Sequence, residues 1–198
     1  MKHPELFILP VLTLTDYFLT LAAEIQRSKK YADHFRIEHY ELNPVWQTQV
    51  AQKKWFNPKH ILLTVAIVVL LLPLLESGLM PESFVQGFLG CLLVCFGSVI
   101  GRHVCNLLTF RRIEQKPGEI SGQVTMAHSL LLSLSMYQCA LVLVPLVIVA
   151  VLSRTPVAIG GVFGVILLLA IHLQWIRKYN SQKRLLNKPA QPTAGSCS

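Results

Sequence analysis

Residues 97–112, GSVIGRHVCNLLTFRR, run from an apolar segment into a basic stop at Arg111 and Arg112. Arg102 and His103 come about two helical turns before that stop, where a chain crossing a bilayer should still lie in hydrocarbon. A charged side chain at that depth is costly unless it has a partner or faces a polar cavity. Two questions follow: whether the chain crosses a membrane, and what the Arg102 guanidinium contacts there.

The composition indicates a membrane protein. Of the 198 residues, 53% are hydrophobic and 14% are charged, whereas soluble domains carry about 25% charged residues. Five apolar segments approach or exceed the length of about 20 residues that a spanning helix needs. The sequence therefore predicts an all-α transmembrane bundle of residues 1–180, followed by a disordered tail, 181–198. The predicted spans are residues 5–25, 60–80, 83–110, 124–152 and 157–176.

The net charge of +8 sets an orientation rather than indicating nucleic-acid binding, because the basic residues flank the apolar segments. The first loop carries seven Lys and Arg residues, the connection after the third span three, and the tail five. The alternate side has one at the N-terminus, none after the second span and one after the fourth. The positive-inside rule then puts the N-terminus outside and the tail in the cytoplasm. A cleaved signal peptide, the alternative, would place the basic first loop outside.

The first loop contains two Asn-Pro pairs, Asn43-Pro44 and Asn57-Pro58. Asn is a favoured N-cap and Pro is favoured at the first helical position, so each pair predicts a helix start. We expect a helix from Pro44 to about Phe56, lying along the cytoplasmic face or covering that end of the bundle. On the membrane surface it would bring aromatic and basic side chains to anionic headgroups: Trp46, Trp55, Phe56, Lys53 and Lys54.

Asp16 and Arg102 are the two formally charged residues deep in predicted spans, each about 12–13 Å from the cytoplasmic end at about 1.5 Å per residue. We expect them to face each other, helped by His103 or Asn106; the alternative is that Arg102 snorkels to the headgroups. Most of the other polar residues of the spans share this half of the membrane. The sequence therefore predicts a polar cavity open to the cytoplasm, with site residues Asp16, Thr20, Arg102, His103, Asn106, His128 and His172.

A second candidate site lies in the first loop, in residues 33–44, DHFRIEHYELNP. If this segment is helical, His34, Glu38 and Glu41 share one face and are candidate metal ligands. No zinc signature is present, and a solvated charged face is the alternative. The candidate residues of this loop site are His34, Glu38, His39, Glu41 and Asn43. No cofactor motif is present, and we expect no cofactor.

The pair of segments LTDYFLTL and YELNPVW resembles a family of small, uncharacterised prokaryotic multi-pass membrane proteins. That family has Asp-x3-Thr in its first span and Glu-x-Asn-Pro soon after, matched here by Asp16, Thr20, Glu41, Asn43 and Pro44. The resemblance covers about the first quarter of the chain, which departs from the family by a longer first loop and extra spans. It implies a prokaryotic inner-membrane protein and no particular activity.

Two Gly-x3-Gly pairs, Gly97 with Gly101 and Gly160 with Gly164, allow close helix packing inside the bundle or between copies of the chain. We expect a non-enzymatic protein whose polar site binds a protein partner, a lipid headgroup or a small solute. The alternatives are a metal-assisted membrane enzyme using His, Glu and Asp side chains, and a small transporter using Asp16 for an ion or proton. The sequence contains no Gly-x-Ser-x-Gly motif and no P-loop.

The orientation can be tested by cysteine-accessibility labelling in intact cells. Single cysteines at Lys2 and Arg154 should react with an impermeant maleimide, and those at Arg36, Lys116 and Lys188 should react only after the membrane is permeabilised. Labelling of the Arg36 site from outside would contradict the orientation.

Overall fold

The computed structural model describes residues 3–186, with side chains described for residues 3–183. Five helical segments in this part of the chain are long and apolar enough to cross a membrane, which confirms the predicted number of spans. The first consists of a 3-10 turn, Pro4–Phe7, and α1, Ile8–Arg27. Next come the short α2, Tyr31–His34, strand β1, Phe35–Ile37, and the short α3, Gln47–Ala51.

The second span begins at the predicted Asn57 cap. The Asn57 Oδ1 accepts the backbone N–H groups of Lys59 and His60 at 3.1 and 3.4 Å, and α4, Pro58–Ala66, follows. The chain then passes through a π-helical stretch, Ile67–Leu71, into α5, Leu72–Glu76. The π-helical stretch ends two residues before Pro73, which has no N–H and whose ring crowds the preceding turn. A widened turn accommodates such a residue without ending the span.

The remaining spans are α6, Glu82–Gln115, α7, His128–Ser153, and α8, Pro156–Leu186. A 3-10 turn, Pro117–Glu119, and strand β2, Val124–Met126, connect α6 to α7. In the bundle, α8 packs against both α6 and α7, and α1 packs against α6 and α4. The last helix continues to Leu186, past residue 181 where the predicted tail starts. The rest of that tail, 187–198, lies outside the described residues.

The first loop has less helix than predicted: instead of a helix from Pro44 to about Phe56, the structure has α3 alone. Asn43 caps a turn before it, accepting the Val45 N–H on its side chain and the Trp46 N–H on its carbonyl, both at 3.0 Å. The helix ends because Lys53 adopts the left-handed conformation, with φ of 52°.

The fourth span begins later than predicted, because residues 124–126 are a strand and not helix. Strand β2 pairs in parallel with β1, with Phe35 opposite Val124 and Ile37 opposite Met126. The β-branched Val124 and Thr125 suit an extended backbone. This two-stranded sheet ties the first loop to the connection between α6 and α7, and so holds the loop against one end of the bundle.

The α6–α8 contact is made backbone to backbone through glycines. A Cβ on Gly160 would overlap the carbonyl oxygen of Gly87, and one on Gly164 would lie 2.5 Å from the carbonyl oxygen of Cys91. Gly97 and Gly101, in contrast, have no atom within 4 Å of such a Cβ. The Gly160 pair therefore serves packing inside the bundle. An oligomer contact through Gly97 and Gly101 stays a prediction.

This difference predicts that two matched glycine-to-alanine substitutions affect stability unequally. Gly160→Ala should lower the free energy of unfolding in detergent by about 1–3 kcal/mol, because the added methyl group pushes α6 and α8 apart. Gly97→Ala should leave stability nearly unchanged, since its Cβ enters open space. Equal effects in thermal or SDS unfolding would contradict the backbone contact.

Candidate polar binding site between the helices

Polar side chains gather at the end of the bundle where the first loop covers α1, α4, α6 and α8. They surround a cavity of about 220 Å³, called here the inter-helix cavity. Both carboxylates and the guanidinium that line it come from separate elements: Asp16 from α1, Glu41 from the first loop and Arg102 from α6. Aromatic and imidazole rings complete the wall: Tyr17, Trp46, His60, His103, His172 and Trp175.

His103 is the centre of a buried hydrogen-bond chain that joins α1, α6 and the first loop. Its Nδ1 lies 3.0 Å from the Tyr40 hydroxyl, and its Nε2 lies 2.9 Å from Thr20 Oγ1. Asn106 Nδ2 donates to the Tyr40 oxygen at 3.2 Å. Because Thr20 gives its hydroxyl proton to the carbonyl of Asp16 at 2.8 Å, His103 donates from Nε2–H.

The Nδ1 of His103 is then the acceptor for the Tyr40 proton. Burial of Tyr40 raises the pKa of its phenol to about 12, so the hydroxyl remains protonated and can donate. All four members of the chain thereby have complementary roles, and His103 is the neutral Nε2–H tautomer.

A second chain starts at Arg102 and reaches α7 and α8. The guanidinium donates from Nη1 to Ser135 Oγ, and Ser135 Oγ lies 2.8 Å from His172 Nε2. The other His172 nitrogen, Nδ1, lies 2.7 Å from the carbonyl of Leu168, which can only accept. His172 is therefore protonated on Nδ1, Ser135 donates to Nε2, and the Ser135 oxygen accepts from Arg102.

Asp16 and Arg102 line the same cavity but do not form the ion pair that the sequence led us to expect. The only ion-pair distance of the Asp16 carboxylate among the described residues is 3.5 Å, from Oδ1 to His103 Nε2. Successive residues of a helix project about 100° apart. His103 therefore faces α1, while the adjacent Arg102 faces α7 and α8. The Asp16 Oδ1 atom is buried and has no hydrogen-bond partner among the described residues.

Glu41 belongs to this cavity rather than to a metal-binding face of the loop. Its side chain is buried and accepts the backbone N–H of Asn43 at 2.7 Å. Burial raises the pKa of Glu41, while the Asn43 amide and the Arg102 guanidinium act in the opposite direction.

The helical face expected for His34, Glu38 and Glu41 does not form, because the chain is extended from Phe35 to Ile37. His34 Nδ1 bonds to the Gly122 carbonyl at 3.0 Å, and Glu38 accepts from the Tyr179 hydroxyl at 3.4 Å. Within residues 3–183, no three His, Cys, Asp or Glu side chains are grouped as metal ligands.

His128 lies apart from His103 and His172. It lines a neighbouring cavity of about 250 Å³ together with Glu38, His39 and Tyr179. Its ring centre is 6.1 Å from that of His39 and 5.3 Å from that of Tyr179. Five of the other predicted residues line the inter-helix cavity: Asp16, Thr20, Arg102, His103 and His172. The sixth, Asn106, lines a third cavity of about 290 Å³, which shares Arg102 and His103 with the inter-helix cavity.

The residues that the predicted site lacks include Tyr40, Ser135, His60, Trp46 and Trp175. Trp46 lines the inter-helix cavity and Tyr40 bonds to His103 because the first loop folds back over the bundle. No local sequence pattern predicts that arrangement of the loop. Ser135 is one of the polar residues of the fourth span, whereas Trp175 has the appearance of an ordinary residue of an apolar span. The His60 ring contacts that of Tyr17, with ring centres 4.5 Å apart and ring planes inclined by 36°.

The chain matches no family model, no curated protein and no solved structure. The resemblance to small prokaryotic membrane proteins therefore stays a prediction.

Tyr40→Phe should destabilise the protein, because it leaves the buried His103 Nδ1 without a donor. A loss of about 1–3 kcal/mol in the free energy of unfolding is expected for an unsatisfied buried group. Tyr137→Phe is the matched control, since Tyr137 is 57% exposed on α7. Unfolding in detergent measures both variants, and no loss for Tyr40→Phe would contradict the proton assignment.

Proposed function

We propose that this chain is a multi-pass protein of a bacterial cytoplasmic membrane that binds a small polar solute in the inter-helix cavity. One observation carries the proposal: charged side chains face the cavity with hydrogen-bonding capacity that the described residues do not use. Asp16 Oδ1 has no hydrogen-bond partner, and Arg102 makes one side-chain hydrogen bond, to Ser135, out of the five a guanidinium can donate. Such groups inside a bundle are retained where something polar meets them.

The charge pattern supports a cavity that opens toward the cytoplasm. The basic connections lie at the end of the bundle where the cavity lies, and the positive-inside rule assigns that end to the cytoplasm. Trp55 and Phe56 are 76% and 57% exposed there, beside Lys53 and Lys54. This surface suits the headgroup region of an anionic leaflet, where aromatic rings and lysines are both favourable.

A transporter is the second candidate, favoured by the buried and unpaired Asp16 Oδ1. A carboxylate at that depth is a typical site for a coupling ion or proton. Flux in proteoliposomes that depends on pH or on an ion, and that is lost in Asp16→Asn, would favour transport over binding alone.

Native mass spectrometry of the gently purified protein tests the proposal. Wild-type protein should carry a co-purifying small molecule, which Asp16→Asn and Arg102→Gln should lose because each removes a charged contact. Asp33→Asn and Arg36→Gln are matched controls at exposed positions and should retain it.

Absence of any bound small molecule, together with no stabilisation of the purified protein by a library of polar metabolites, would contradict the proposal. Retention of the molecule by both cavity variants would place its site elsewhere.

A further inference from the structure

We infer that the solute is a small zwitterion, with an ammonium group and an acidic group in one molecule. This inference rests on the proposed function and specifies its ligand. The starting point is that the cavity is lined by side chains of both charge signs that form no direct ion pair with each other among the described residues. No nitrogen of Arg102 lies within 4.0 Å of a carboxylate oxygen of a described residue.

The positive and negative charges stand on different walls of the cavity, the carboxylates on α1 and the first loop and the guanidinium on α6. Asp16 stands on α1 with its carboxylate 3.5 Å from His103 Nε2, which already donates to Thr20. Arg102 stands on α6 and is held by Ser135 of α7. Glu41 adds a second carboxylate from the loop. Neutral His103 and His172, assigned from their hydrogen bonds, add no charge.

A simple ion would be attracted by the charged groups of one wall and repelled by those of the other. A cation would pair with Asp16 or Glu41 but meet the Arg102 guanidinium, and an anion would pair with Arg102 but meet two carboxylates. Like charges brought together in a low-dielectric site are strongly unfavourable. A zwitterion places an ammonium group at the carboxylates and an acidic group at the guanidinium.

The size and the apolar wall restrict the zwitterion further. A volume of about 220 Å³ is below the range of about 300–1,000 Å³ of drug-sized pockets, so the ligand is small. Leu168, Ile171 and Trp175 of α8 and Trp46 of the loop provide an apolar surface. The indole faces also attract an ammonium group. An amino acid with an apolar side chain meets both the charge and the apolar requirement. The phosphoethanolamine headgroup of a lipid meets the charge requirement.

Three probes of matched shape distinguish a zwitterion site from a site for a simple cation or a simple anion. L-leucine carries both charges, 3-methylbutylamine lacks the carboxylate, and 4-methylpentanoate lacks the ammonium group. Binding is read as the rise in the unfolding midpoint of the purified full chain in phosphatidylglycerol nanodiscs. We expect leucine to bind at least about tenfold more tightly than either analogue, since each analogue leaves one charged wall without a partner.

The variants make the test specific to the two walls. Asp16→Asn removes the partner of the ammonium group, so it should reduce the difference in affinity between leucine and 4-methylpentanoate. Arg102→Gln removes the partner of the carboxylate, so it should reduce the difference in affinity between leucine and 3-methylbutylamine. Asp33→Asn and Arg36→Gln should leave the ranking unchanged. Glycine, L-phenylalanine and O-phosphoethanolamine are further zwitterionic probes. Nanodiscs that contain phosphatidylethanolamine test whether the bound zwitterion is a lipid headgroup.

Tighter binding of either single-charge analogue than of leucine, or no binding of any zwitterion in the set, would overturn the inference. A co-purifying solute of another chemical class would overturn it too while leaving the proposed function in place. If no solute co-purifies and no polar probe binds, the proposed function fails as well.

Discussion

The constraint on which this structure depends is the cost of a guanidinium within an apolar bundle. Arg102 is accommodated because Ser135 accepts from it while donating to His172, whose other nitrogen is bonded to its own helix. Three spans, α6, α7 and α8, are thereby linked by one polar chain. A charged side chain without polar contacts would cost several kcal/mol at this depth. The hydrogen-bond chain and the polar cavity beside it both reduce that cost for Arg102.

The neighbouring His103 extends this organisation to the other side of α6. Through Thr20 it contacts α1, and through Tyr40 it contacts the first loop. The loop is also paired with the segment before α7 through the two-stranded sheet. These attachments place Glu41 and Trp46 over the spans, and they turn a connection between helices into one wall of the cavity.

Close packing at the other half of α6 complements the polar half. There the glycines of α6 and α8 bring two backbones into contact, and no side chain intervenes. Helices in van der Waals contact along one half can separate along the other half, where larger side chains such as Arg102, His172 and Trp175 surround an open volume. The glycine contact and the polar cavity thus lie at opposite ends of the same helix pair, α6 and α8.

The sequence by itself determined the five spans, the Asn57 helix start and the charged residues at a depth where hydrocarbon is expected, because hydropathy and capping are local properties. It also indicated most residues of the polar site, since polar side chains in apolar spans are conspicuous. The tertiary structure alone decided which groups meet. Arg102 contacts Ser135 and not Asp16 because adjacent helical residues project in different directions, and the axial rotation of α6 is set by packing. Strand pairing and the placement of Tyr40 depend on contacts between residues distant in sequence, which no local pattern encodes.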